Sequence, residues 1–251
     1  MPGPSLRMTT EREAQLEIQL AMADKRLQAL VHGISHDLRA PLRAIDAFSA
    51  RLSRQLEGAD PTAIETLSRI TATSARMGGL VDGLVELARA GRAELRPIRV
   101  DVSMLADWCA AELQDAEPSR AASIEVQPGL EVVGDERLLK TMLAQVLRNA
   151  WRFSAVRPRV EVEVSGTRAE DGLTLVVRDH GIGFDMAYAG RMLEPFQRLH
   201  GSEEGAGDGI GLAIADAIVT RHGGNIRAES APGEGATFHV WLRDLALPEA
   251  A

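Results

Sequence analysis

The sequence predicts two architectures in series: an α-helical hairpin that pairs with a second copy into a dimeric four-helix bundle, then an α/β sandwich in which helices cover one face of a mixed sheet. Three features point to this. Apolar residues recur at helical spacing as far as Gly91, short apolar strands alternate with helices from Pro97 onward, and the stretch Arg92 to Arg96 between them follows neither pattern and reads as a hinge.

In the first helix, Thr10 and Glu13 have the spacing of a capping box, in which each side chain satisfies a backbone N–H left free at a helix start, so the helix is expected to begin there. Its stripe is Leu16, Leu20, Leu27, Val31, Ile34, Leu38, Ile45, Leu52 and Leu56. Gly58, Asp60 and Pro61 end it, and Asp60 as cap with Pro61 at the first helical position opens the next helix. That helix carries Ile64, Leu67, Ile70, Met77, Val81, Leu84 and Ala88 before Gly91 stops it. Two such helices cannot bury both seams alone, which predicts a homodimer; a monomeric hairpin folded on the rest of the chain is the alternative. Beyond the hinge, strands are expected at Ile98 to Val100, Ile124 to Val126, Leu130 to Val133, Arg159 to Ser165, Leu173 to Arg178, Asn225 to Glu229 and Ala236 to Leu242. Helices are expected at Ser103 to Asp115, Glu136 to Arg152 and Ile210 to Arg221.

Composition narrows the function. Of 251 residues 45% are apolar, ample for a packed core, and 28 Lys and Arg against 36 Asp and Glu give a formal charge of -8, so no nucleic-acid partner is expected. Cys109 is the single cysteine, which excludes a disulfide framework and reads as a small core residue in a reducing compartment. No stretch approaches the roughly 18 apolar residues of a membrane helix, and the start MPGPSLRMTTERE lacks the apolar core of a secretory signal, so a soluble, cytoplasmic chain with no membrane segment is expected.

His36 lies two positions after Ile34 and two before Leu38, which at about 100° per residue turns it from the stripe toward solvent. A surface histidine means little by itself. Here Asp37 follows directly, and Pro41 removes the hydrogen bond that the Asp37 carbonyl would accept. A neutral imidazole nitrogen is a nucleophile, and a neighbouring carboxylate can hold the ring and take its proton as phosphate arrives. Asp179-His180-Gly181-Ile182-Gly183 ends an apolar strand; it is either an ordinary turn or a site where Asp179 accepts an adenine amine and Gly181 and Gly183 admit the ring. The run Gly205-Ala206-Gly207-Asp208-Gly209-Ile210-Gly211 before a helix is either a flexible linker or an anion site built from backbone N–H groups, and it is not a Walker A loop. Gln145 and Asn149, four apart on one helix face, are either solvated polar residues or neutral oxygens for Mg2+, with Arg152 adding charge for phosphate.

Together and in this order these residues resemble the histidine kinase family over roughly residues 30 to 245. The similar segments are HDLRAPL around the phospho-acceptor, LLKTMLAQVLRNAWRFS as the N box, VVRDHGIGFD as G1, EPFQRLH as the F box, GDGIGLAIA as G2 and GEGATF as G3. The phrases LRAPLRAI, NAWRFS, FDMAYAGRM and PFQRLH look most like phytochrome-type and PAS-linked sensor kinases. The resemblance implies an N-terminal signalling helix or coiled coil over 1–30, a dimerisation and histidine phosphotransfer hairpin over 31–91, and an ATP-binding catalytic domain of GHKL type and Bergerat fold over 97–245. It implies an ATP-dependent protein-histidine kinase that autophosphorylates His36 and passes the group to an aspartate of a response regulator receiver domain, under a sensor domain or sensor protein at the N-terminus. By the same resemblance His36 and Asp37 are catalytic, and Asn149 with Gln145 holds Mg2+. Asn149, Arg152, Asp179, Gly181, Gly183, Arg198, Gly209, Gly211 and Thr237 bind ATP, and Gly201 to Asp208 forms a mobile lid.

The sequence departs from the pattern at Gln145 and His180, where the family often has Asn, and at Asp208, where a small hydroxyl residue is common. A charge at Asp208 close to the phosphates implies slow autophosphorylation, and Ala40, one turn after His36 where many members carry Thr or Asn, implies little phosphatase activity. These departures support the alternative of a catalytically weak ATP-binding scaffold.

Overall fold

A proline at the first helical position starts both helices of the N-terminal half, because its fixed φ suits a helix and its missing N–H is one that a helix start leaves unpaired. In the computed structural model, which describes residues 4–55, 60–197 and 207–247, α1 spans Pro4–Gln55 and α2 spans Pro61–Ala90. The chain divides into two compact units, Met1–Ala88 and Arg89–Ala251. α1 begins six residues before the capping-box pattern, so Thr10 lies inside the helix. The side chains of Thr10, Glu13, Leu16, Leu20 and Leu27 lie outside the described residues, as do Leu56 and Gly58. Asp60 caps α2, its carboxylate accepting the Thr62 N–H at 3.1 Å.

On α1 the buried positions are not the apolar stripe, whereas on α2 Leu67 and Val81 of the stripe are buried. Ser35, Leu42 and Ser49 are buried at heptad spacing on α1, with Leu67, Ser74, Val81 and Val85 on α2. Small side chains at such positions let helices pack closely. Ile34, Leu38, Ile45 and Leu52 of α1 and Ile64, Ile70 and Met77 of α2 stay exposed in the single chain. Arg39 ties the hairpin, donating to Asp82 from Nη2 at 2.7 Å and Nε at 3.1 Å.

In the second unit β1 (Ile98–Asp101), α3 (Val102–Ala116), β2 (Ala122–Val126), β3 (Glu131–Gly134), α4 (Glu136–Phe153), β4 (Val160–Ala169), β5 (Gly172–Asp179), α5 (Gly211–Arg221), β6 (Asn225–Ala231) and β7 (Gly235–Arg243) follow in order. A short 3-10 turn, Met186–Arg191, precedes α5 and has no sequence signature among the expected elements. The main sheet has the order β2-β4-β5-β7-β6, with β2 parallel to β4 and the other pairs antiparallel. β1 and β3 pair separately. β4 and β5 extend past the expected ends into a hairpin that closes at Ala169 opposite Gly172, where backbone pairing persists although the side chains turn polar. Burial alternates along the central strands: Val160, Val162 and Val164, then Leu173, Leu175 and Val177, then Phe238, Val240 and Leu242 point to the helix-covered face. Against them α4 buries Leu139, Met142, Leu143, Val146 and Leu147, each side chain contributing roughly 1.5–3 kcal/mol of hydrophobic stabilisation. The mixed sheet under helices is the architecture expected from the sequence.

One buried polar group organises this unit. Asp135, 1% exposed, caps α4 by accepting the Leu138 N–H at 3.2 Å, and its other oxygen accepts the Arg96 N–H at 2.9 Å and Arg137 Nη2 at 3.0 Å. Its own N–H donates to Nε2 of the fully buried His222 at 3.1 Å, and His222 Nδ1 faces the Ile218 carbonyl at 2.8 Å. Those partners select the neutral imidazole with its proton on Nδ1, and burial pushes the His222 pKa down. Burial by itself would raise the Asp135 pKa, but the Arg137 bond and the Arg96 and Leu138 N–H groups outweigh it, so the carboxyl titrates below its ordinary range. Cys109 is buried on α3, and burial followed by the Glu112 carboxylate pushes its thiol up to about 11, so it is a protonated core residue at neutral pH. Among the described residues no helix is long and apolar enough to cross a membrane.

Asp135→Ala is expected to cost about 2–3 kcal/mol in denaturant unfolding of this unit, from the lost cap and the orphaned N–H donors. In the wild type the carboxylate's contribution is complete above its unfolded value near 3.9 and disappears as pH falls through the lower folded value, so the variant and wild type converge in acid.

Candidate functional site

α4 is apolar on the side facing the sheet and polar on the other, and the polar side meets the glycine-rich segment that opens α5. Gln145 is nearly buried there; its Oε1 accepts Arg148 Nη1 at 3.3 Å and lies 2.8 Å from where a side chain at Gly211 would begin. Asn149, one turn further on, is half-buried, and Arg152 follows on the same side. The Arg152 guanidinium lies against the Gly207 α-carbon, where a side chain would start 1.4 Å from Nη1. Burial pushes the Arg152 pKa down, and the Asp208 carboxylate opposes that shift. So Gln145, Asn149, Arg152, Gly207 and Gly211 come together, and α5 begins there with its N–H groups unoccupied by any side-chain cap. Gly209 adopts φ +68, where a side chain would begin 2.5 Å from the Gln197 carbonyl, and its own carbonyl accepts the Phe196 N–H at 2.7 Å, closing the two ends of the segment between them. Arg198 and residues 201–206 of the expected lid lie outside the described residues.

The second part of the site is the end of β5. Asp179 is 3% exposed, and its Oδ1 accepts the Gly181 N–H at 2.9 Å and the Ala236 N–H at 3.3 Å. Burial raises its pKa, against those two N–H groups and His180. A side chain at Gly181 would begin 2.5 Å from the Phe153 carbonyl at the end of α4, so β5 and α4 approach here without a side chain between them. Gly183 adopts φ +59 with the Ala231 carbonyl 2.0 Å from where a side chain would begin, a position that admits no other residue.

Thr237, expected among the nucleotide-binding residues, lies on the other face of the sheet from this group. β5 and β7 pair with Asp179 opposite Ala236 and Arg178 opposite Thr237, and alternate residues face opposite sides of a sheet. Ala236 therefore shares the buried side with Asp179, and Thr237 shares the open side with Arg178. Sequence reasoning missed the Ala236 N–H and also Ser230, whose Oγ takes the Phe184 N–H at 2.8 Å and donates to the Gly235 carbonyl at 2.7 Å. A main-chain donor carries no residue-type signal, and one serine in a strand is unremarkable.

On the helical unit, the side chains of His36 and Asp37 are 80% and 84% exposed, and His36 Nδ1 lies 3.2 Å from Asp37 Oδ1. α1 continues through Pro41.

With these arrangements in place, two family models match the chain: "Histidine kinase-, DNA gyrase B-, and HSP90-like ATPase" over residues 134–246 and "His Kinase A (phospho-acceptor) domain" over residues 26–93. Phytochrome-like protein Cph1 of Synechocystis sp. is 30% identical over 230 residues, which are 91% of this chain and 31% of that protein. Sensor-like histidine kinase SenX3 of Mycolicibacterium smegmatis is 30% identical over 226 residues, 87% of this chain and 58% of that protein. The solved structure of full-length ShkA in complex with AMPPNP superposes with a TM-score of 0.63 over 87% of this chain and 46% of its own, at 22% identity, a likeness of fold. The chain spans only 31% of the phytochrome relative's length.

Asp179→Asn is expected to leave the melting temperature at pH 7 unchanged or raised, as read by calorimetry. A carboxyl whose folded pKa lies above its unfolded value of about 3.9 takes up a proton on folding, so its charge disfavours the folded state at neutral pH and that cost fades as pH falls through the folded value.

Proposed function

The chain belongs to the sensor histidine kinases, and on that premise we propose that it moves the γ-phosphoryl group of ATP onto His36 and then to an aspartate of a response regulator receiver domain. The observation that carries this reading is the His36 imidazole itself, presented to solvent on a continuous helix with one ring nitrogen against Asp37. Asp37 accepting the Nδ1 proton leaves the Nε2 lone pair facing outward. Nε2 attacks the γ-phosphorus, the bond from that phosphorus to the β–γ bridging oxygen breaks, ADP departs, and the imidazolium charge is stabilised by Asp37. In the second transfer the P–N bond breaks and an aspartyl phosphate forms on the regulator.

Phosphoryl transfer needs positioning and charge neutralisation more than covalent help. Asp179 accepts the adenine amine, Gly181 and Gly183 hold the loop beside it close against the Phe153 and Ala231 carbonyls, and the Gly209 to Gly211 N–H groups with Arg152 and Arg198 take the phosphates. Mg2+, when bound, neutralises phosphate charge; amide oxygens suit it, and Asn149 is the residue that would hold it, because the Gln145 oxygen is already engaged by Arg148 and packed at Gly211. Residues 1–30 act as the signalling helix joined to a sensor, 31–91 as the phosphotransfer hairpin and 97–245 as the catalytic domain, in the cytoplasm where ATP is supplied. Homodimerisation is supported by the exposed apolar stripe and by a groove of about 350 Å³ lined by Ile45, Ile70 and Met77.

A second reading, the weak ATP-binding scaffold, is favoured by the Asp208 carboxylate acting on Arg152. Incubation with γ-labelled ATP and Mg2+ separates the two. The kinase reading expects acid-labile, base-stable label on the wild type, none on His36→Gln, and a loss of about 100-fold or more in Asn149→Ala; bound ATP without label on the wild type would favour the scaffold. Ile70→Glu is expected to convert the dimer to monomer in light scattering, by placing a charge in the seam, while leaving ATP binding intact.

A further inference from the structure

We propose that Arg157 is a positioning residue for the adenine end of the nucleotide site and sets how strictly that end selects adenine over guanine; this rests on the nucleotide reading above. Arg157 sits in the turn after α4, its N–H donating to the Ser154 carbonyl at 3.0 Å. Its guanidinium spans two other segments. Nε donates to the His180 carbonyl at 2.9 Å, and Nη2 donates to the Gly181 carbonyl at 3.3 Å and the Gly233 carbonyl at 2.6 Å.

Those carbonyls belong to the two segments that hold Asp179. The first is the loop directly after it, whose Gly181 N–H bonds Asp179 Oδ1; the second is the β6–β7 turn, which leads into the Ala236 N–H on the same oxygen. Backbone bonds stitch the same three segments: Ile182 N–H to the Phe153 carbonyl at 3.0 Å and Gly233 N–H to the Ile182 carbonyl at 2.6 Å. Arg157 thus closes from outside a corner that the backbone closes from inside. Strand pairing holds Asp179 opposite Ala236, but the loop His180 to Gly181 and the turn at Gly233 lie beyond it, so one planar fork that reaches three carbonyls fixes where the Gly181 N–H points and how closely the turn approaches the Asp179 carboxylate. Adenine offers an amine to that carboxylate, whereas guanine presents a carbonyl at the same ring position and would set two acceptors face to face. Selectivity therefore depends on the carboxylate being unable to shift. Arg157 itself is at the surface, so replacing it leaves the core packing unaltered.

The test compares wild type, Arg157→Ala and Arg157→Lys in the full chain. ATP and GTP binding is measured by calorimetry, and autophosphorylation is followed over a range of ATP concentrations. In Arg157→Ala the KM for ATP is expected to rise about tenfold with kcat within about twofold, the preference for ATP over GTP to narrow, and the melting temperature to stay within a few degrees of wild type. Lysine, a single ammonium in place of the fork, recovers only part of the selectivity. An unchanged KM and preference would overturn the proposal, as would a parallel fall of kcat and melting temperature with selectivity intact, the mark of a merely structural residue. A wild type that binds no ATP would overturn the nucleotide reading itself, and the proposal with it; ATP binding by a wild type that is not labelled leaves the calorimetric comparison to decide.

Discussion

A carboxylate buried at the end of a strand must be hydrogen-bonded, and the geometry around Asp179 follows from that requirement. With 3% of its surface exposed, its bonds come from the Gly181 N–H, two residues on, and the Ala236 N–H across the sheet. The second bond exists only because β5 and β7 pair with Asp179 opposite Ala236. A register shift of one residue would bring Thr237 to that place and turn the apolar face of β7 outward. The close approach of Gly183 to the Ala231 carbonyl and of Gly181 to the Phe153 carbonyl belongs to the same corner. The residual cost of burying the charge, visible in the raised pKa, is what a ligand's donor can offset.

α4 and α5 connect this corner to the rest of the unit. α4 is held at its start by the Asp135 network and along its length by the apolar side facing the sheet, which leaves its other side to line up Gln145, Asn149 and Arg152. α5 begins at Gly211 against Gln145 and ends at Arg221, whose guanidinium donates to the Gly91 and Ala93 carbonyls, and at His222, which receives the Asp135 N–H. The helix that starts at the glycine-rich segment is thus anchored at its far end to the same network that starts α4. Rigid helices carrying the polar side chains of a site place them more precisely than loops do.

The helical unit answers a different constraint. Its own buried line, Ser35, Leu42 and Ser49, is narrow, while a wider apolar stripe and the His36 side chain both remain in contact with solvent. The stripe is of the kind that a second hairpin covers, and the exposure of the imidazole is what the proposed phosphoryl transfer to it requires.

Helical periodicity in the first ninety-odd residues, the capping aspartate Asp60 and the positions of the central strands were legible because each is a local response of the backbone to side-chain type. The order of the glycine-bearing segments, and their resemblance to a known family, picked out Asp179, Gly181, Gly183, Gly209 and Gly211 as candidates. Other features depend on residues far apart in the chain. Thr237 was placed by its motif, yet which of two adjacent residues faces Asp179 is set by the β5–β7 register; the stripe on α1 was visible, but that the hairpin closes along Ser35 and Leu42 instead came from the helix pairing. Arg157 and the Ala236 N–H act through backbone carbonyls and amides, groups every residue shares, so residue type could not announce them. The sequence by itself determined the elements and which side chains are candidates for the chemistry; tertiary structure decided which of them share a face, because strand register and helix contact are settled by packing between distant segments.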